Sequence, residues 1–218
     1  LYINYTYIGQ TFEQEEKYNE AKICYLQAIE KNYIDYMAHW FLALLYMRQD
    51  KAALALDEVI VANILNRNNP QLRQSLEHIF AMNNKIYWDW VFAPQIRIVK
   101  TGNKSIKILG KDDWLWYAMV KALWQYDPEY RKTKNTGLHL INVNEEIEAL
   151  ACYFSLILAK KKKIRGPHLV SLQAAFKAKA VYAYAIYEII LTKYPEFAYT
   201  LSIEGIKQIA EYVRNVRK

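Results

Sequence analysis

Four histidines, two cysteines, the carboxylate pairs Asp112-Asp113 and Glu145-Glu146 and one run of cations are the residues singled out in this chain as able to do chemistry. A metal site needs ligands at spacings that bring them to one point, such as i and i+4 on a helix. His39, His78, His139 and His168 have no ligand partner at i+3 or i+4 and no Cys-rich setting. Asp112-Asp113 and Glu145-Glu146 could divide acid and base roles between two carboxyls. Both pairs stand where helices should begin, and there carboxylates cap free amides and answer the helix dipole. Cys24 and Cys152 lie inside apolar helical patterns and read as small buried hydrophobes rather than a nucleophile or half a disulfide. No Gly-rich phosphate loop and no GxSxG occurs. These residues predict a protein that is not an enzyme and has no metal and no cofactor.

The cations are the remaining candidates. Lys160, Lys161, Lys162, Lys163 and Arg165 could hold phosphate, nucleic acid or an acidic partner, and the net charge of +7 admits all three as well as an anionic membrane surface. The same run closes a predicted helix, where cations complement the dipole and a solvated turn suffices to explain them.

Helices must position whatever site exists. With 6 Gly and 5 Pro in 218 residues, the chain has few breakers, and its 53% hydrophobic content supports a folded core. The 19 Tyr and 6 Trp either fill wide interhelical gaps with a polar tip in water or line a recognition groove. Tyr5, Ile8 and Phe12 share one face, with Gly9 inside it for close approach by a neighbouring helix. Tyr18, Ala21, Tyr25 and Ala28 form a second stripe that Lys31-Asn32 ends, Asn being tolerated in a left-handed stop.

A shift of thirty-four residues lays Ile8, Gly9, Phe12, Ala21, Ala28 and Asn32 on Leu42, Ala43, Tyr46, Ala55, Ala62 and Asn66. A fixed period of this size marks stacked helical hairpins, none of which buries its apolar face alone. Tyr5, Ile8, Gly9, Phe12, Tyr18, Ala21, Tyr25 and Ala28 meet every position of a tetratricopeptide (TPR) repeat, and the first hairpin resembles one. His39, Leu42, Ala43, Tyr46, Ala52, Ala55, Val59 and Ala62 carry a second, looser match. The likeness is clear over about residues 2–69 and degenerate beyond. A third unit opens near Pro70 with Leu76, Ile79 and Phe80, but Glu77 stands where a small residue belongs.

The resemblance implies an all-α fold of antiparallel hairpins in a right-handed superhelix. It also implies that outward-facing residues on the first helix of each hairpin line a concave, peptide-binding side. Those positions are Ile3, Thr6, Gln10, Glu13 and Gln14, then Met37, Trp40, Leu44, Met47 and Arg48. The second set is apolar, so it is either a groove for a peptide of a partner protein or a joint covered by the third hairpin or the 114–126 helix. The family's carboxylate clamp uses Lys, Arg and Asn there, and only Arg48 is present, which speaks against capture of a terminal carboxylate.

Downstream, Gln95-Ile-Arg-Ile-Val and Ser105-Ile-Lys-Ile-Leu alternate with period two about Thr101-Gly-Asn-Lys, predicting a β-hairpin over 95–109 or an irregular linker. A nearly all-round apolar helix follows from Trp114 to Asp127-Pro128. Tyr130 to Gly137 reads as a basic loop, and Asn144 as the cap of a helix from Glu145 to about Lys160. An unbroken helical pattern runs from His168 to Tyr194. A last helix, Glu196 to Val216, has Gly205 in a small-residue slot and reads as a polar cap on the array.

The predicted organisation is therefore 1–93 repeats, 94–111 linker or hairpin insertion, and 112–218 a divergent helical half with a C-terminal capping helix, the whole expected to be one continuous structural unit. No apolar run reaches the length of a membrane span. Reduced cysteines fit the cytoplasm. The chain opens on Leu1 rather than Met, so a fragment or a processed form without its leader is an open reading. The leading expectation is a non-catalytic scaffold that binds a peptide segment of another protein. The alternative is nucleic-acid or anionic-surface binding through residues 160–165.

Overall fold

Five turns that follow helices close in the same way. Glu16, Asp50, Asn84, Lys161 and Lys179 each take a left-handed backbone, with φ between 51° and 60°. The amide after each reaches back to a carbonyl one turn into the preceding helix: Lys17 to Phe12 (2.8 Å), Lys51 to Tyr46 (2.9 Å), Lys85 to Phe80 (3.0 Å), Lys162 to Ile157 (3.1 Å) and Ala180 to Ala175 (2.8 Å). This is the Schellman stop, which satisfies carbonyls a helix end would otherwise leave without partners.

The computed structural model describes residues 2–102, 105–110, 113–134 and 141–218. Asp112 and His139 lie outside them, as do Asn103 and Lys104 of the predicted hairpin turn. The described residues are 71% helix, with one small two-stranded antiparallel sheet, and contacts divide the chain into two units: Leu1–Asp89 with Ile189–Lys218, and Trp90–Glu188.

In the first unit, α1 (Tyr2–Gln14) packs on α2 (Tyr18–Lys31), α3 (Tyr36–Arg48) on α4 (Ala52–Leu65), and α5 (Pro70–Met82) on α4. The three stops at Glu16, Asp50 and Asn84 are thirty-four residues apart, and so are the caps between hairpins. Asp35 accepts the amide of Met37, and Asn69 accepts those of Gln71 and Leu72. Pro70 occupies the first turn of α5, where its missing amide costs nothing. After Lys85 residues 86–95 are irregular, so α5 has no second helix of its own hairpin.

Asn32 does stop α2, but in extended rather than left-handed geometry (φ −152°), because the chain leaves there for the next hairpin instead of folding back. Ile8 is 45% exposed whereas its counterparts Leu42 and Leu76 are fully buried. The cause is layering: α1 packs chiefly against α2 and α3, while α3 has α1, α2, α4 and α5 around it.

Gly9 answers a close approach. A Cβ there would stand 2.5 Å from Cε1 and 2.8 Å from Cδ1 of the buried Tyr25 ring. Gly205 does not: its Cβ would meet only Ser202 Oγ at 3.4 Å. The last helix starts later than the sequence predicts. Pro195–Thr200 is a 3-10 turn, Ser202 caps Gly205 N (3.1 Å), and α12 (Ile203–Glu211) runs on as a π turn over Tyr212–Val216. Ile206, Ile209, Tyr212 and Val213 are buried, and α12 packs on α4. Residues 189–218, which the sequence places with the divergent half, therefore group with the hairpins.

In the second unit, β1 (Ile96–Lys100) pairs antiparallel with β2 (Ile106–Gly110), Ile98 opposite Ile108, and both strands rest on α6 (Trp114–Tyr126). A hairpin alone is marginal in water, so this support is what holds it. α7 (Pro128–Thr133) replaces the start of the predicted basic loop because Asp127 caps the amides of Glu129 and Tyr130. α8 (Val143–Ala159) is capped by Asn142, not Asn144: Asn142 Oδ1 accepts from Asn144 N and Glu145 N. The predicted unbroken helix is interrupted at the Lys179 stop: α9 (Pro167–Lys177) precedes it, and after it α10 (Val181–Tyr184) runs on through a π turn over Ala185–Ile190 into α11 (Leu191–Lys193). Phe92, Trp114, Tyr117, Tyr153 and Tyr184 form the aromatic centre, with Trp114 stacked on Tyr153 at 4.2 Å. These rings are packing, as the first of the two readings has it.

Candidate functional site

Helices α1 and α3 lie side by side, and both present residues three and four apart to the same space. Gln10, Glu13 and Gln14 come from α1, and Phe41, Leu44 and Arg48 from α3; together they line a groove of about 220 Å³. Five of the ten sequence candidates are thus brought together. Phe41 was not among them, although its spacing to Leu44 and Arg48 (i, i+3, i+7) is the helical signal that places it there.

The polar part of the groove is braced from below. Tyr25 Oη donates to Glu13 Oε2 at 2.8 Å, and Arg48 Nη1 stands 3.3 Å from Glu13 Oε1. Burial first, and the hydrogen bond to Glu13 second, push the Tyr25 hydroxyl well above its usual value, so it stays a donor at physiological pH. Glu13 is nearly buried, whereas the Arg48 side chain is 57% exposed. Solvent therefore screens their pairing, which contributes at most about 1 kcal/mol. Arg48 remains able to turn toward a ligand. The apolar part is Phe41, tilted on Tyr25 at 6.1 Å and stacked on Trp40 at 5.8 Å, with Leu44 beside it.

The other candidates are placed elsewhere. Trp40 Nε1 donates to Ser75 Oγ of α5 at 3.0 Å, so Trp40 belongs to a joint with the third unit's helix. Met37 and Met47 are half-buried and outside the groove lining. Thr6 is not outward-facing: it is buried, and its hydroxyl donates to Asp35 Oδ2 at 3.1 Å. Ile3 is exposed on α1.

The basic run is partly answered. Lys160 Nζ lies 2.8 Å from Asp113 Oδ1, and Lys162 binds the other oxygen of the same carboxylate. Hydrogen bonds from Lys160, then Lys162, hold the Asp113 carboxyl below the usual aspartate range. Asp113 makes no side-chain cap on α6, contrary to its sequence reading, because these two ammoniums occupy it. Lys161, Lys163 and Arg165 are exposed.

Glu145 and Glu146 also do more than open a helix. Both reach Lys121, and buried Glu146 accepts the Tyr117 hydroxyl as well. Burial alone would lower Lys121, and the two carboxylates outweigh it and raise it. Residues Trp124 to Arg131 brace one another and α8 locally. Trp124 Nε1 (2.9 Å) and Tyr130 Oη donate to Glu148, and Arg131 caps the carbonyls of Trp124 (2.8 Å) and Gln125 (3.0 Å) at the end of α6.

Cys24 and Cys152 are free thiols that burial pushes up, away from the thiolate. Among the described residues, no group of three or more His, Cys, Asp or Glu is placed to hold a metal ion, and no helix is long and apolar enough to cross a membrane. Set against known proteins, the chain matches no family model, no curated protein and no solved structure.

Proposed function

We propose that the chain is a non-catalytic interaction module, a short TPR-like array whose first two hairpins hold a peptide segment of a partner protein along α1 and α3. The observation that carries this reading is the convergence of Gln10, Glu13, Gln14, Leu44 and Arg48 on one groove. Its volume is below the roughly 300–1,000 Å³ of small-molecule sites and suits a few side chains of a longer ligand. Two glutamine amides can pair with a peptide backbone, Phe41 and Leu44 offer an apolar seat, and Arg48 offers a partly engaged charge. The TPR resemblance gives the direction of the superhelix and the concave side, and the thirty-four-residue spacing of the turns supports it.

The test is recovery of a partner. Tagged wild-type chain, Arg48→Glu and Leu44→Gln are used to purify binding proteins, identified by mass spectrometry, while circular dichroism follows folding. One protein recovered by the wild type should be lost with both variants at unchanged helicity. Equal recovery by all three would refute this groove as the binding surface.

A further inference from the structure

The sheet carries a second unfilled feature, independent of the groove on α1 and α3. Thr101 N–H donates to Ser105 O at 3.0 Å, which makes 101 and 105 a hydrogen-bonded pair. Antiparallel pairs alternate, so Val99–Lys107 and Arg97–Leu109 also exchange bonds across the hairpin. Ile106 and Ile108 then turn their amides and carbonyls to the outer edge of β2, and among the described residues no backbone hydrogen bond meets them there.

The same two residues line an apolar groove of about 380 Å³ with Met119, Ala122, Leu123 and Tyr126 of α6. Ile106, Met119 and Leu123 are each more than a third exposed. An open edge and an open apolar trough thus lie along one strand.

We infer that the outer edge of β2 takes a third strand: an extended segment of another protein, apolar at alternate positions and acidic between them. Main-chain bonds to Ile106 and Ile108 would supply affinity, and alternate side chains would fill the trough over Met119 and Leu123. Charge selects the occupant. Arg97 and Lys107, on the face turned from α6, and Lys100 are exposed, and the sequence from Gln95 to Gly110 holds no Asp or Glu. Asp127 touches the far end of the trough, but its carboxylate is engaged in capping Glu129 and Tyr130. A second copy of this chain is disfavoured, since β2 against β2 would set Lys107 beside its own counterpart and pair two cationic hairpins. Edge lysines also serve simply to repel strands, and the experiment separates the two roles.

Fluorescein-labelled eight-residue peptides are titrated against the full chain by anisotropy: alternating Val and Glu, alternating Val and Lys, and two Val/Glu peptides N-methylated at odd or at even amides. Val/Glu should bind, and Val/Lys should bind at least tenfold more weakly. One methylation parity should cost about tenfold or more while the other changes little, because only one set of amides faces β2. Met119→Glu, at a half-exposed position, should weaken Val/Glu to a similar degree. Absence of Val/Glu binding at millimolar concentration, equal effects of the two parities, equal binding of Val/Lys, or an unaffected Met119→Glu variant would each overturn the proposal. So would concentration-dependent self-association abolished by Lys107→Glu.

Discussion

Gly9 and Tyr25 provide a pair whose counterpart is built into the same chain. Thirty-four residues on, Ala43 and Val59 occupy the equivalent buried positions of the next hairpin. Where the facing side chain is an aromatic ring the small residue is Gly, and where it is Val the small residue is Ala. Gly9→Ala places a Cβ 2.5 Å from a ring that cannot swing away, because Tyr25 is fully buried and its hydroxyl is tied to Glu13. Overpacking of this kind costs about 1–3 kcal/mol. The gain in helix propensity offsets about 1 kcal/mol of that, so the net loss should be up to about 2 kcal/mol. In a Tyr25→Val background the clash is gone and the propensity gain remains, so the same substitution should stabilise by up to about 1 kcal/mol. The coupling between the two sites is then about 1–3 kcal/mol, within the range seen for contacting residues. Urea unfolding followed by circular dichroism reads it: with a slope of about 2 kcal/mol per molar, Gly9→Ala lowers the midpoint in the wild type and raises it in Tyr25→Val. A midpoint that rises in both backgrounds would refute the packing argument.

The remaining predictions concern the second unit and are read by the same unfolding assay. Lys179→Gly should stabilise by about 1 kcal/mol, since a left-handed backbone disfavours a side chain; were residues 168–194 one continuous helix, the substitution would destabilise by a similar amount. Lys121→Met leaves buried Glu146 without its ammonium and should cost about 3–5 kcal/mol, whereas Tyr117→Phe removes one hydrogen bond and should cost about 1–3 kcal/mol. A Lys121→Met loss no larger than that of Tyr117→Phe would mean that Glu146 is not held by charge. For Asp113 the folded value lies below the ordinary 3.8. Its stabilisation is therefore present above the unfolded value and is lost as pH falls through the folded one. Because Lys160 and Lys162 are 48% and 46% exposed, the amount is under about 1 kcal/mol. Asp113→Asn should lower neutral stability by that amount, leave the acid limit unchanged and so remove that part of the acid sensitivity, and an identical acid profile would contradict the assignment.

What was legible in the sequence was what local chemistry decides. The thirty-four-residue recurrence of small and aromatic positions predicts the hairpins, Pro70 predicts the start of α5, and period-two alternation predicts the strands within a residue or two. Pairings settled across the fold were not legible. Nothing local distinguishes Glu146, which binds Tyr117 and Lys121, from a carboxylate that only answers a helix dipole, because its partners lie twenty-five or more residues away. The turn at Lys179 was hidden for a different reason: Lys177-Ala-Lys-Ala contains no Gly, Pro or Asn, and a Schellman stop on Lys leaves no compositional mark. A further local signal lies in the repeat. Lys17, Lys51 and Lys85 recur with the stops themselves, and Phe12, Tyr46 and Phe80 supply the carbonyls they bind.

The groove shows how the two kinds of information combine. Helical spacing alone predicts that Gln10, Glu13 and Gln14 share a face, and so do Leu44 and Arg48. It does not say which outward residues of α3 meet α1 and which meet α5. That choice is made by ring packing. Phe41, tilted on Tyr25 and stacked on Trp40, forms the apolar seat between the hairpins, and Trp40 is committed to Ser75. The apolar strip on α3 is therefore divided: Trp40 forms a joint with α5, and Phe41 and Leu44 line the groove beside α1. The division follows from which helix lies on each side of α3, and it makes Leu44 and Arg48, not Trp40, the positions at which the proposed binding can be tested without first loosening the fold.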